Sequence, residues 1–239
     1  MENRIKKRIV NIDEAKTTKF WQNRSIRGMG LKTVLLNEEL PDEILEKRNL
    51  KEFEIVKKIL PREATVLDIG CGIGRWADNL KNIVKSYTGI DYTERFIETA
   101  RSKFPHNDKI KFFKMSVTDI DKQKLSGKYD VAIATGILMY INEQKLPDLM
   151  AFINNCVSDT VYIQESVCVK KERLTLDNIW SGSLGDNYSA IYRTPEEYEK
   201  LFSAMLKDFK INQSGMLLDE EMTVHSETSA KYWILKRIR

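Results

Sequence analysis

Between Thr65 and Trp76 a short apolar run ends in Asp68, glycines alternate at Gly70, Gly72 and Gly74, and a helix-compatible segment opens at Arg75. That order commits the chain to a strand, a tight turn and a helix. Glycine has no Cβ, so such a turn can take dihedrals closed to other residues and bring main chain close to a ligand. The spacing narrows the choice of ligand. A G-x-G-x-x-G fingerprint would need its third glycine where Arg75 stands, and no G-x-x-x-x-G-K-[ST] loop occurs in the chain. Pyrophosphate and triphosphate sites therefore fit poorly, and the plain alternative is a glycine turn serving packing alone.

The 239 residues suit one α/β domain with a small N-terminal extension. With 39 basic and 35 acidic residues the net charge is +4, and the charges are interspersed except at Arg4, Lys6, Lys7 and Arg8. This is no strong nucleic-acid footprint, and the basic start reads as a solvated terminus or a contact for a polyanion. Three cysteines without Cys-x-x-Cys spacing argue against a disulfide framework and for a reducing compartment. The first thirty residues lack a signal-type apolar core, and no run approaches the roughly 20 apolar residues of a spanning helix. A cytoplasmic protein, monomer or homodimer, with no membrane partner is expected.

From Leu40 to Leu60 apolar residues recur at helical intervals and Pro61 stops the helix. After the glycine turn the pattern predicts helix 75–82, strand 86–90, helix 93–103, strand 109–115, strand 129–134, helix 142–156 and strand 159–165. Strands alternating with helices imply parallel β-α-β units. A polar segment over 166–194 follows, then a helix from Pro195 to Leu206 and strands near 208–217 and 229–238. The expected fold is α/β, a doubly wound, seven-stranded, mostly parallel sheet.

The block of Asp68, Gly70, Gly72 and Gly74 closely resembles motif I of the class I S-adenosylmethionine-dependent methyltransferases, in their small-molecule branch. The resemblance implies a Rossmann-like sheet whose last strand inserts antiparallel. It divides the chain into an N-terminal helical lid over 1–60 and an S-adenosylmethionine-binding domain over 61–239, with an acceptor lid inserted at about 166–194. Asp91, about 20 residues past the glycines, would accept hydrogen bonds from both ribose hydroxyls, with Tyr92 beside it. After the next strand the family usually places an acid for the adenine amino group. Ser116 holds that place here, with the Val117 backbone reading the ring and Asp119 as an alternative. Thr135, with Gly136, fits the position near the methionine portion. Tyr140 stands where small-molecule members often carry a histidine, so no base carries over there. The segment around Phe20, Trp21, Arg24 and Arg27 resembles the family's aromatic and arginine lid. Trp21 would cover the sulfonium side, and Arg27 would grip the amino-acid carboxylate.

Methyl transfer to a hydroxyl needs a base, which an unprotonated amine does not. Glu165, at the predicted end of strand 159–165, and His225, between the last two strands, are the candidates. His106 falls at the opposite face. Tyr192 and Arg193, with Tyr188, would suit a polar acceptor. Asp177 and Asn178 resemble the acid–amide pair of magnesium-dependent members, but strand 129–134 ends without an acid, so no metal is expected. The expected activity moves a methyl from S-adenosylmethionine to oxygen, in preference to nitrogen, of a small polar metabolite such as a sugar or nucleotide-linked intermediate. The alternatives are an RNA or protein methyltransferase, or a non-catalytic module that binds S-adenosylmethionine.

Overall fold

The computed structural model describes residues 3–36, 39–120, 125, 127–219, 222–223 and 225–238. Along the chain run β1 (Arg4–Lys6), α1 (Glu14–Arg27), α2 (Leu31–Leu35), α3 (Asp42–Ile59), β2 (Thr65–Ile69), α4 (Arg75–Leu80), β3 (Ser86–Asp91), α5 (Glu94–Ser102) and β4 (Ile110–Lys114). There follow β5 (Tyr129–Thr135), α6 (Leu146–Cys156), β6 (Val157–Cys168), β7 (Leu174–Ser181), β8 (Asp186–Tyr192), α7 (Pro195–Met205), β9 (Phe209–Met216) and β10 (Thr228–Arg237).

Local chemistry sets several of these ends. Asp13 caps α1 by accepting from the Ala15 and Lys16 N–H groups, and Gly28 closes it in the left-handed region at φ 65°. At α7 Thr194 and Glu197 form a reciprocal capping box ahead of Pro195.

Seven strands form the main sheet in the order β4-β3-β2-β5-β6-β10-β9. The first five are mutually parallel, and β10 runs antiparallel to both of its neighbours. Period-two alternation splits the core into two layers. Leu67, Ala132, Ala134, Val161 and Ile163 face α6 and α7, whereas Val66, Val131, Ile133 and Tyr162 face α3, α4 and α5. From β2 the chain winds outward through β3 and β4, then returns to β5 on the other side of β2. That reversal opens a crevice at the carboxyl ends of β2 and β5, where ligands gather in such sheets.

Two expected features take a different form. The segment 166–194 is no polar loop: β6 runs on to Cys168, and β7 and β8 form an antiparallel hairpin. The basic start is a third strand of that hairpin's sheet, with Ile5 paired to Thr175 in the order β1-β7-β8. Arg4 and Lys6 both bond Glu227, which ties β1 to the loop before β10.

Candidate active site

A cavity of about 580 Å³ occupies the crevice. Its floor is the turn after β2, where Gly70 and Gly72 take φ 77° and 52°. A Cβ on Gly72 would come within 2.9 Å of the Val34 side chain, so the cradle excludes larger residues. Asp91 ends β3 on the same wall and is 8% exposed. Its carboxylate accepts from the Gly72 N–H at 3.1 Å and the Thr93 N–H at 2.8 Å, which fixes its orientation and leaves a lone pair on each oxygen. Burial raises the Asp91 pKa above the ordinary carboxylate value, and the two N–H donors pull it back. Tyr92, Trp21 and Phe96 line the cavity beside it, the Trp21 and Phe96 rings meeting edge to face at 6.2 Å. A carboxylate held this way, next to a glycine turn and flat aromatic walls, suits a nucleoside.

Farther along the floor stand two arginines that the sequence reading did not assign. Arg75, the first residue of α4, donates to Glu52 at 2.8 Å, Asn49 at 3.0 Å and Thr135 at 3.2 Å, and its guanidinium lies 4.6 Å from the Trp76 ring. Glu52 is fully buried and also accepts from the Tyr162 hydroxyl at 3.2 Å. Arg48, one turn before Glu52 on α3, is 6% exposed and lines the cavity as Arg75 does. Burial lowers the Arg48 pKa while Glu52 pulls it up, so an anion arriving here would relieve a desolvated cation. The signal in the sequence was the Arg48, Glu52 spacing of four on one face of α3. Nothing local indicated that this face is buried.

Of the expected residues, the cavity lining holds Trp21, Gly70, Gly72, Asp91, Tyr92, Thr135, Gly136, Tyr188, Tyr192 and His225. Others lie elsewhere, each for a physical reason. Gly74 serves packing, since a Cβ there would meet Ala100 at 3.2 Å and Phe112 at 3.3 Å. Asp68 is fully buried behind the turn, accepts from the Tyr87 hydroxyl, and is pushed up to about 7 by burial. Ser116 pairs its hydroxyl with Thr118 at 2.9 Å, and Val117, expected to act through its backbone, packs its side chain into the core and is not part of the cavity lining. Arg27 is not part of the cavity lining and instead donates to the carbonyls of Leu184 and Gly185 in the hairpin turn.

Glu165 is the largest correction among the candidate bases. It sits inside β6, and period two sends its neighbours Gln164 and Ser166 to the cavity and Glu165 to the opposite side. There its carboxylate accepts from the N–H groups of Ile137, Leu138 and Met139 at 3.0, 2.8 and 3.1 Å. Burial raises it to about 7 against those three donors. Arg193 grips the same turn from its carbonyl side, donating to Leu138 at 2.8 Å and Ile141 at 2.9 Å, with Glu143 at 3.1 Å. Both groups hold the turn after β5 and neither lines the cavity. Over the acceptor end, Tyr188 bonds the Tyr140 hydroxyl at 2.8 Å and that of Tyr192 at 3.4 Å.

Residues 66–159 match the sequence profile of a methyltransferase domain. Phosphoethanolamine N-methyltransferase 3 of Arabidopsis thaliana is 26% identical over 187 residues, covering 77% of this chain and 35% of its own. The chain thus spans about a third of that curated relative's length. A Leishmania major S-adenosylmethionine-dependent methyltransferase superposes with TM-score 0.70 at 15% identity, over 93% of this chain and 82% of that one. Phosphoethanolamine N-methyltransferase 1 of Haemonchus contortus, solved with phosphoethanolamine and S-adenosylhomocysteine, gives TM-score 0.72 at 17% identity, over 94% and 49%. At these identities the two structures speak to the fold.

Proposed function

We propose that this chain, whose residues 66–159 match a methyltransferase domain, is a class I methyltransferase that binds S-adenosylmethionine at Gly70, Gly72 and Asp91 and methylates a small-molecule acceptor beneath the β7–β8 hairpin. One juxtaposition carries the reading: the oriented Asp91 carboxylate and the glycine turn share a cavity wall, and the cavity continues past them to the hairpin.

The cofactor supplies an electrophilic methyl on a sulfonium and leaves as a neutral thioether, so the protein's work is to orient and to exclude water. Asp91 would take the ribose hydroxyls on its two free lone pairs. Trp21, Tyr92 and Phe96 would flank the nucleoside. The carboxylate of the amino-acid end fits the Arg48 and Arg75 guanidiniums, in place of Arg27. Thr135, already accepting from Arg75, stands where the methionine chain would pass. At the far end His225 is the candidate base for an oxygen acceptor, with the Tyr192 and Tyr188 hydroxyls in reach of the same space.

A nitrogen acceptor resembling the phosphoethanolamine of the relative's name finds less support. A phosphate needs cations facing it. No lysine or arginine of the hairpin lines the cavity, and Arg4 at its rim is ion-paired with Glu227. Calorimetric titration with S-adenosylmethionine and S-adenosylhomocysteine tests the assignment: both should bind with one-to-one stoichiometry, and absence of binding by either would overturn it.

A further inference from the structure

Three rungs of the hairpin's inner face are apolar or aromatic: Leu174 stands opposite Tyr192, Leu176 opposite Ala190, and Ile179 opposite Tyr188, before the face ends at Ser181 opposite Asp186. Every member of these three rungs except Ala190 lines the cavity, and no charged residue between 174 and 192 does. The tyrosine hydroxyls on this face bond one another, as given above, which spends part of their hydrogen-bonding capacity within the roof and leaves the rings as most of what it presents. The cavity is therefore asymmetric: Asp91, Arg48 and Arg75 stand on the cofactor side, and the roof over the acceptor side is apolar and partly aromatic, with the mutually paired Arg4 and Glu227 at its β1 edge. A sugar or a phosphate would lose water against that roof without replacing its hydrogen bonds, at a cost of order 1–3 kcal/mol for each unmet polar group.

The acid–base inventory points the same way. Glu165 faces the turn after β5, and Glu227 is engaged by Arg4 and Lys6. Among the described residues the group left to take a proton at this end is the exposed His225 imidazole. An imidazole is a weak base, able to assist a phenol, whose ordinary pKa is about 10, far better than an alkyl hydroxyl.

From this roof and this base we infer that the acceptor is an uncharged phenol. Its flat ring lies under Leu176, Ile179 and Tyr188, and its hydroxyl turns toward His225. A phenolic oxygen lone pair forms the new C–O bond, the C–S bonding pair stays on sulfur, and the phenolic proton passes to the His225 imidazole and then to water. The products are an aryl methyl ether and S-adenosylhomocysteine. This inference rests on the methyl-transfer reading.

The test uses the full chain saturated with S-adenosylhomocysteine, titrated in a calorimeter with an unsubstituted naphthol, a hexose and phosphoethanolamine in turn. Naphthol should bind, and the other two should not. Leu176→Asn should weaken naphthol binding by at least about tenfold while leaving S-adenosylhomocysteine affinity in place. With labelled S-adenosylmethionine, naphthol should yield the methyl ether, and His225→Asn should slow that transfer by about a hundredfold while still binding naphthol. If S-adenosylhomocysteine itself does not bind, the methyl-transfer reading fails. If it binds but the hexose or phosphoethanolamine is preferred, or His225→Asn transfers at the parent rate, the phenol inference alone is overturned.

Discussion

At the scale of single residues the site divides by what a local pattern can carry. Gly70, Gly72 and Asp91 are legible because backbone freedom and a strand-end position are set within about 20 residues of chain. Glu165 and Arg193 are legible by residue type and by lying near the site but not in direction, since side chains alternate along a strand and β6 runs past Glu165 to Cys168, while Arg193 follows β8, whose alternation the sequence masks. Gln164 and Ser166, and Tyr192 beside Arg193, occupy the inward positions instead. Arg48 and Arg75 were invisible because their role depends on α3 packing against the glycine turn. Two predictions belong here. Asp91→Asn should weaken S-adenosylhomocysteine binding by roughly 1.5–3 kcal/mol, about ten- to a hundredfold in calorimetry, because it exchanges a charged acceptor for a neutral amide. The parent protein's affinity should also fall on acidification. Ribose hydroxyls donate to the ionised carboxylate, and burial raises the Asp91 pKa, so the loss begins above the ordinary carboxylate range. The Asn variant should not share that slope.

Elements were read well where periodicity is strong on one face and poorly where it is masked. Helices α3, α5 and α7 and the parallel strands follow from their apolar spacing and from Pro61, Thr194 and Pro195. The hairpin reads in sequence only as a polar segment because β7 and β8 carry polar residues on their outer faces and flank Gly182 and Gly185, which dilutes the alternation. The turn after β5 shows what the element contacts add. One carboxylate takes three of its N–H groups and one guanidinium takes two of its carbonyls. Ionising Glu165 costs the folded protein more than the unfolded chain, because its folded pKa of about 7 lies above the ordinary glutamate value of 4.5. Its contribution is thus fully present below the unfolded value and is lost as pH rises through about 7, to the extent of roughly 3 kcal/mol. Glu165→Gln, which cannot ionise, should show a flatter dependence of unfolding midpoint on pH between 4.5 and 8 in denaturant titrations than the parent protein. Parallel pH curves for the two would contradict the assignment.

For the whole molecule, strand–helix alternation gave the doubly wound sheet and its switch point, and the reversal at β2 gave the crevice. What sequence could not give is the roof, since it joins β1, near the start of the chain, to β7 and β8 across helices α1 to α6 and strands β2 to β6. Asn23 on α1 bonds Asp186 at 2.9 Å, and Arg27 bonds the Leu184 and Gly185 carbonyls, so α1 is the strut that holds the roof in place. Arg27→Ala should therefore speed hydrogen exchange of the 181–186 turn and raise the acceptor KM several-fold, with a smaller change in S-adenosylhomocysteine affinity. A residue gripping the cofactor carboxylate would do the reverse. Among the described residues no helix is long and apolar enough to cross a membrane, and no cluster of three metal-ligating side chains occurs.

If this cavity moves a methyl group from S-adenosylmethionine to a small molecule, isotopic label from methyl-labelled S-adenosylmethionine, incubated with the protein and a cell extract that is then fractionated by mass, should enter a low-molecular-mass product. The Asp91→Asn protein should transfer far less. Label confined to RNA or protein, or no transfer although S-adenosylmethionine binds, would contradict this function.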